Sequence, residues 1–465
     1  MKNWHLLIIP LLVLQLLLLI NLQFTAWPEM FSYAYLKNNG FLMYRDIIHP
    51  YPPLLSVSLA YIYKIFGYKI EVLQIITWVL ILFSSTLVYF NSLKLTSKSK
   101  VALFATGLYV LLQPFLDGDM LWFDIAIVLP ILSGVYFSFR WINKEGGVNY
   151  NLFLAGLSFG VASLIKQTAG IFALVFLLYL LFTKTNVKRV AVFVSGTALL
   201  WIVFLARIAQ EKQLGEFWNW TIYSPLFQWK NFPGYVQMSP TNHQLAVLAL
   251  LIVPVLVLLV LKRKILSDKK IQLSLFFLLA GLVAIYPRFS FFHFQPSLIF
   301  FVLLYGVLLQ KLNLKLSIAV FSVFLLLSVP LIFRPVLTND WKKEPRFYGK
   351  DEVKMARSIR ESIGDSKNIF LLGLPSQYYV MTNTIPPKPW TDNFGWYLEI
   401  PGVQEDIISR WDNHKPDYIL WRVPSNGNWF DHGTYQPKII VNWMLNNYTW
   451  MKELTPGVWV WEKNK

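Results

Sequence analysis

Apolar residues fall in long blocks along this chain and not in the short alternating stretches of a half-buried sheet. Nearly unbroken apolar runs occupy 6–22, 72–90, 190–208, 245–261, 273–285 and 316–333. Most approach the ~20 residues a helix needs to cross a hydrocarbon core of about 30 Å. Within lipid, a helix satisfies every backbone N–H and C=O inside one segment, so the pattern predicts membrane-spanning helices. Two shorter runs, 151–165 and 171–182, flank Lys166 and Gln167, with Lys144 and Lys184 at their far ends. Cations at both far ends predict a hairpin with Lys166-Gln167 at its tip, in place of one overlong helix. Segment 53–67 is apolar and aromatic but interrupted by Lys64, and predicts a helix lying at the membrane interface.

After residue 334 the pattern changes to polar, proline-rich and tryptophan-rich. Val353, Ala356, Ile359 and Ile363 recur near helical spacing in 350–363, and 437–446 predicts another helix. Short apolar runs at 368–374, 418–423 and 457–461 read as buried strands. The expected organisation is a mainly α, polytopic domain over 1–335 and a small α/β domain over 336–465.

Composition sharpens this. The 465 residues are 55% hydrophobic and 14% charged, against about 25% charged in soluble domains. The net charge of +17 follows the positive-inside rule, so no nucleic-acid partner is assigned. Basic clusters at 94–100, 140–144, 184–189, 262–270 and 311–315 fall on one side if about eleven spans alternate. The N-terminus is then cytoplasmic and the C-terminal domain extracytoplasmic. The first run follows Lys2 but no small-residue cleavage site follows it, so it is expected to be retained. The absence of cysteine removes disulfides, thiol catalysis and Cys-ligated metal, and fits a bacterial or archaeal plasma membrane.

On the opposite side charges are few, and a carboxylate held against a bilayer is costly unless it has a task. The stretch 27–54, WPEMFSYAYLKNNGFLMYRDIIHPYPPL, carries Glu29, Arg45, Asp46 and His49. Either acid has the chemistry of a general base for an acceptor hydroxyl; the plainer reading is a solvated loop in which Asp46 pairs with Arg45 or Lys37. Asp117, Asp119 and Asp124 lie in LDGDMLWFD at an outer hairpin tip. A D-x-D pair offers oxygen ligands to a divalent cation, but DGD is equally ordinary turn chemistry, and no metal or cofactor is assigned. Asp124, among apolar neighbours, is the less comfortable as loop filler. Lys166 follows the small-residue face of Gly156, Gly160 and Ser163, and either snorkels or meets an anion. Arg288 and His293, in PRFSFFHFQP, suit phosphate and a leaving group, or else form part of an aromatic belt. The aromatics of 216–238 carry the same two readings, sugar stacking or belt.

The ordered set Gly40, Tyr44, Arg45, Asp46, Pro52, Pro53 and Leu54, then Phe66-Gly67, then Lys166-Gln167, then Arg288, His293 and Pro296 resembles the polytopic GT-C glycosyltransferases. The branch it resembles holds protein O-mannosyltransferases, lipid A aminoarabinose transferases and RgtA/B/C/D-like proteins. The resemblance covers most of 1–335 and is weaker over the tail. It implies transfer of a sugar from a polyprenyl-phosphate donor to an extracytoplasmic lipid, glycan or protein acceptor, with inversion in a single displacement. It also implies that the family's catalytic acid, usually Asp, is matched here by Glu29, with Asp46 as the other candidate. Lys166, Arg288 and His293 would hold the donor phosphate, with Arg45, His49, Asp117, Asp119, Asp124 and Gln167 as possible substrate contacts. Many relatives need no metal. Two other readings use the same groups: a transporter or flippase of a lipid-linked saccharide, and a surface-glycan polymerase or ligase. The chain lacks the internal repeats common in transporters.

Overall fold

The computed structural model describes residues 4–229, 239–285, 288–391, 398, 400–412, 414–422 and 437–464. Among them, seven helices are long and apolar enough to cross a membrane: Ile70–Thr96, Phe123–Ile142, Val148–Ile165, Val187–Gln210, Asn242–Leu261, Phe291–Gln310 and Leu314–Asp340. Ile8–Asn21, Leu54–Phe66, Ser99–Leu112 and Gln167–Phe182 are shorter apolar helices. The protein is a multi-pass, mainly helical membrane protein with a small four-stranded sheet near its C-terminus.

The predicted elements are largely present. The first run forms Ile8–Asn21, and 53–67 forms Leu54–Phe66. The break at Lys166 is real: Lys166 is extended (φ −143°, ψ 122°), and a 3-10 turn at Gln167–Ala169 starts the next helix. Phe159 and Phe176, nearly equidistant from that break, bring their rings to 6.2 Å, which makes the two helices a hairpin.

Contacts divide the chain into two compact units. The first holds Met1–Phe24, Gln74–Arg207 and Ser239–Lys343; the second holds Thr25–Leu73, Ile208–Met238 and Glu344–Lys465. In the first, Phe291–Gln310 is central, with nearly all of its side chains buried, whereas Val187–Gln210, Asn242–Leu261 and Leu314–Asp340 turn most of theirs outward. A helix that is apolar all round suits both positions, because lipid and protein interior are equally dry. Backbones approach closely where side chains are absent. A Cβ on Gly156 would lie 2.1 Å from the Phe193 carbonyl oxygen, and one on Gly196 2.3 Å from that of Phe153. The small-residue face ahead of Lys166 therefore packs against Val187–Gln210.

In the second unit, strands β1 (Ile369–Leu372), β2 (Tyr418–Arg422), β3 (Tyr448–Thr455) and β4 (Val458–Lys463) form a sheet ordered β1-β2-β4-β3. β1 and β2 are parallel and the other pairs antiparallel. Helix Lys350–Ile363 buries Ala356, Ile359 and Ile363 of the stripe its spacing predicts, while Val353, in its first turn, is 47% exposed. β3 and the helices Gln377–Thr382 and Val403–Trp411 were not foreseen. β3 is an edge strand with most side chains exposed, so its sequence, YTWMKELT, carries no buried run to betray it.

The hydrophobic core of this unit is built from distant segments. Tyr33, Tyr35, Leu36, Phe41, Ile47 and Ile48 share one cluster with Ile359, Ile369, Leu371, Trp390, Trp411 and Ile419.

Candidate functional site

In the first unit a buried ionic cluster forms at the tip of the Lys166 hairpin. The chain leaves the helical path at Lys166, directly after the buried turn Ala162–Ile165, and the Lys166 side chain is itself buried. Its ammonium lies 2.7 Å from both Asp124 oxygens, and these side chains are only 8% and 5% exposed. His293, in the first turn of Phe291–Gln310, places Nδ1 2.9 Å from Asp124 Oδ2 and 3.4 Å from Lys166 Nζ. Arg288 lies near enough for its charge to act on the His293 ring. Three separate helices thus deliver Asp124, Lys166 and His293 to one point. Removing either partner of such a pair leaves an uncompensated buried charge, so the cluster is self-consistent only as a set.

The three aspartates that the sequence grouped together have separate surroundings. Asp117 is exposed and adopts φ +50°. Asp119 is buried and accepts the indole N–H of Trp78 at 3.3 Å; burial pushes its carboxyl well above the usual carboxylate range. Asp124 belongs to the ionic cluster.

Sequence reasoning missed the buried amide network that holds this loop. Gln295 Nε2 donates to the carbonyls of Gln113 (3.0 Å) and Leu116 (2.6 Å), and Gln113 Nε2 donates to that of Gly118 (2.9 Å). Gln15 donates to Gln113 Oε1 at 3.2 Å and accepts Ser85 Oγ–H at 2.5 Å. Gly118 sits so close that a Cβ would lie 1.9 Å from the Gln113 carbonyl oxygen. Gln15 and Gln295 interrupt apolar runs, and an amide inside such a run was the available signal.

In the second unit, Glu29 opens helix Glu29–Asn38 directly after Pro28 and is 5% exposed. Its carboxylate is thus placed at a helix N-terminus. Every residue from Glu29 to Leu36 is buried. Asp46 has different company: its Oδ2 accepts Leu42 N–H at 2.9 Å and the Lys388 ammonium at 3.0 Å, and Oδ1 lies 3.5 Å from Arg45 Nε. Lys388 also donates to the Gly40 carbonyl at 2.8 Å and sits 4.5 Å from the Phe41 ring centroid. The predicted Arg45–Asp46 pair exists, and Lys388, 342 residues away in sequence, completes it. His49 is fully buried, with Nδ1 2.7 Å from the Tyr51 carbonyl and Nε2 2.9 Å from Ser56 Oγ. Burial lowers its pKa to about 3, so the ring is neutral.

Other predicted contacts are placed as follows. Gln167 opens the 3-10 turn beside Lys166 and is half-buried. In the aromatic stretch 216–238, Trp218, Tyr223 and Phe227 are exposed on helical turns, while Phe217 packs edge-on to Tyr44 at 5.1 Å; 230–238 lies outside the described residues.

With this geometry in hand, known proteins give a consistent comparison. The family described as dolichyl-phosphate-mannose-protein mannosyltransferase matches residues 49–209. No curated protein sequence matches the chain. Among solved structures, ArnT from Cupriavidus metallidurans bound to undecaprenyl phosphate aligns over 99% of this chain and 98% of its own, with 12% identity and a TM-score of 0.63. The archaeal oligosaccharyltransferase AglB from Archaeoglobus fulgidus, in complex with an inhibitory peptide and a dolichol-phosphate, aligns over 100% of this chain and 74% of its own, with 12% identity and a TM-score of 0.62. Apo ArnT aligns at 13% identity and a TM-score of 0.58. Such identities speak for fold. The chain therefore has the membrane fold of the GT-C glycosyltransferases, with a mannosyltransferase family signature over 49–209, in agreement with the ordered motifs of its sequence.

Proposed function

We propose that the protein transfers a sugar from a polyprenyl-phosphate donor to an extracytoplasmic lipid, glycan or protein acceptor, with inversion at the anomeric carbon. The observation that carries this reading is the buried Asp124–Lys166–His293 cluster beside Arg288. Buried cations fixed in advance stabilise charge that develops during reaction, without reorganisation. Asp124 holds the Lys166 ammonium in place through both carboxylate oxygens, with His293 Nδ1 3.4 Å from it, so the cation is fixed before the donor phosphate arrives. As the acceptor oxygen attacks the anomeric carbon, the bond from that carbon to the phosphate oxygen breaks. Lys166 and Arg288 then meet the charge left on the phosphate. Glu29 takes the acceptor proton. It is preferred over Asp46 because it occupies the position that the family resemblance matches to the catalytic acid; Asp46, which accepts from Lys388 and the Leu42 amide and lies beside Arg45, is the second candidate. The N-terminus is cytoplasmic in this reading and the sheet-bearing unit extracytoplasmic. The matched ArnT and AglB structures, which hold polyprenyl and dolichol phosphates, support the donor class.

The test is transfer from a polyprenyl-phosphate sugar by the full-length protein in liposomes. Glu29→Gln and Lys166→Met are expected to lower turnover by about 10²-fold or more, whereas Asp46→Asn keeps turnover in the fraction that folds. Wild-type rates in both Glu29→Gln and Lys166→Met would falsify the proposal.

A further inference from the structure

At one end of the first unit, several helix ends are tied together by charge. Lys94, near the end of Ile70–Thr96, pairs with Glu145, and Arg140 Nε lies 3.9 Å from the same carboxylate. Asn143 donates to its other oxygen at 3.0 Å. Lys270 Nζ donates to the Lys94 carbonyl at 2.8 Å, which brings the connection 262–270 to this end, and Asp268 is within electrostatic reach of Tyr179 near the end of Gly170–Phe182. Segments 94–100, 140–149, 183–189 and 262–270 together carry thirteen Lys and Arg but two acids, Glu145 and Asp268. Both acids are engaged within the protein: Glu145 holds the cations just named, and Asp268 caps the next helix by accepting the Lys270 N–H at 2.8 Å. The charge left facing outward is therefore almost purely positive. Arg263, Lys264 and Lys269 are exposed, and Leu266 beside them is 38% exposed. This connection joins the spanning helix Asn242–Leu261 to the apolar helix Lys269–Val283, so it lies at headgroup depth.

We propose that this face is a binding surface for anionic phospholipid headgroups, centred on Lys262, Arg263 and Lys264, with Leu266 reaching into the acyl boundary. The argument is charge complementarity: cations whose own carboxylates are consumed internally need counter-charge from outside. An anionic lipid surface supplies it within a Debye length. The surface is independent of the Lys166 cluster and of the proposed reaction.

The experiment offers the purified full-length protein equimolar phosphatidylglycerol and phosphatidylcholine with identical acyl chains, and counts retained lipid by native mass spectrometry. The wild type is expected to retain phosphatidylglycerol in about tenfold excess at low salt, with the ratio falling toward one as ionic strength rises. The triple variant Lys262→Gln, Arg263→Gln, Lys264→Gln is expected to lose most of that excess at an unchanged melting temperature. The control Lys354→Gln, Lys367→Gln, exposed residues of the second unit, keeps it. A wild-type ratio of one, an excess insensitive to salt, an excess surviving in the triple variant, or an equal loss in the control overturns the proposal.

Discussion

Asp124 shows how a single residue changes meaning between sequence and structure. In the sequence it is the third acid of an acidic turn; in the structure it is the anchor of Lys166 and His293. Removing it by Asp124→Ala strands a buried ammonium, and breaking such pairs costs about 3–5 kcal/mol. The expected outcome is a clear drop in melting temperature together with lost transfer; a variant with unchanged melting would sink the assignment of Lys166 as a buried, Asp-held cation. His49 carries a pH prediction at the same scale. Its folded pKa of about 3 lies below the ordinary ~6.5 of an unfolded histidine. Between those values the unfolded chain binds the proton and the folded chain does not, so stability declines as pH falls from about 6.5 toward 3. His49→Gln should flatten the melting temperature across that window relative to wild type; an unchanged slope would show that other groups set it. The types of these residues were visible in the sequence, but their partners were not. Lys166 and Asp124 are 42 positions apart, and no periodicity links them.

Elements followed the sequence wherever one physical pattern governed them. Spanning helices are legible because lipid demands long apolar runs, and the hairpin at Lys166 because the cations at its far ends cannot enter the core. Edge strand β3 was not legible because half of what defines it is pairing with β4. The glycine face of Val148–Ile165 has an energetic consequence. Gly156→Leu must push Phe193 away from a 2.1 Å approach, and overpacking of this kind typically costs about 1–3 kcal/mol. Gly215, where a Cβ would find nothing within 4 Å, is the matched control. Thermal unfolding in detergent distinguishes them: a Gly156→Leu variant as stable as Gly215→Leu would mean that the helices are not in close contact. Gly118→Ala is expected to disturb the Gln113–Gln295 network and so the loop leading to Asp124, lowering transfer more than its stability loss alone explains.

At the scale of the whole molecule, the second unit draws on three separate stretches of chain, Thr25–Leu73, Ile208–Met238 and Glu344–Lys465. A chain ending at residue 343 would leave Tyr35, Leu36, Phe41, Ile47 and Ile48 without the Ile359, Ile369 and Ile419 side of their core. Burial of each such side chain contributes about 1.5–3 kcal/mol, so the truncated protein is expected to aggregate in detergent and to be cleaved within 25–73 under limited proteolysis. A monodisperse, protease-resistant 1–343 fragment would show instead that the first loop folds alone. The sequence by itself determined the membrane class, the spanning helices, the hairpin at Lys166 and the glycosyltransferase resemblance, because each rests on local pattern or on short motifs in order. Only the tertiary structure decided that Asp124 holds Lys166, that Lys388 engages Asp46, that buried glutamines brace the acidic loop, and that the first loop shares a core with the C-terminal sheet. Those contacts join residues tens to hundreds of positions apart, and what selects them is the cost of leaving charge, amide or apolar surface unmatched in a dry interior.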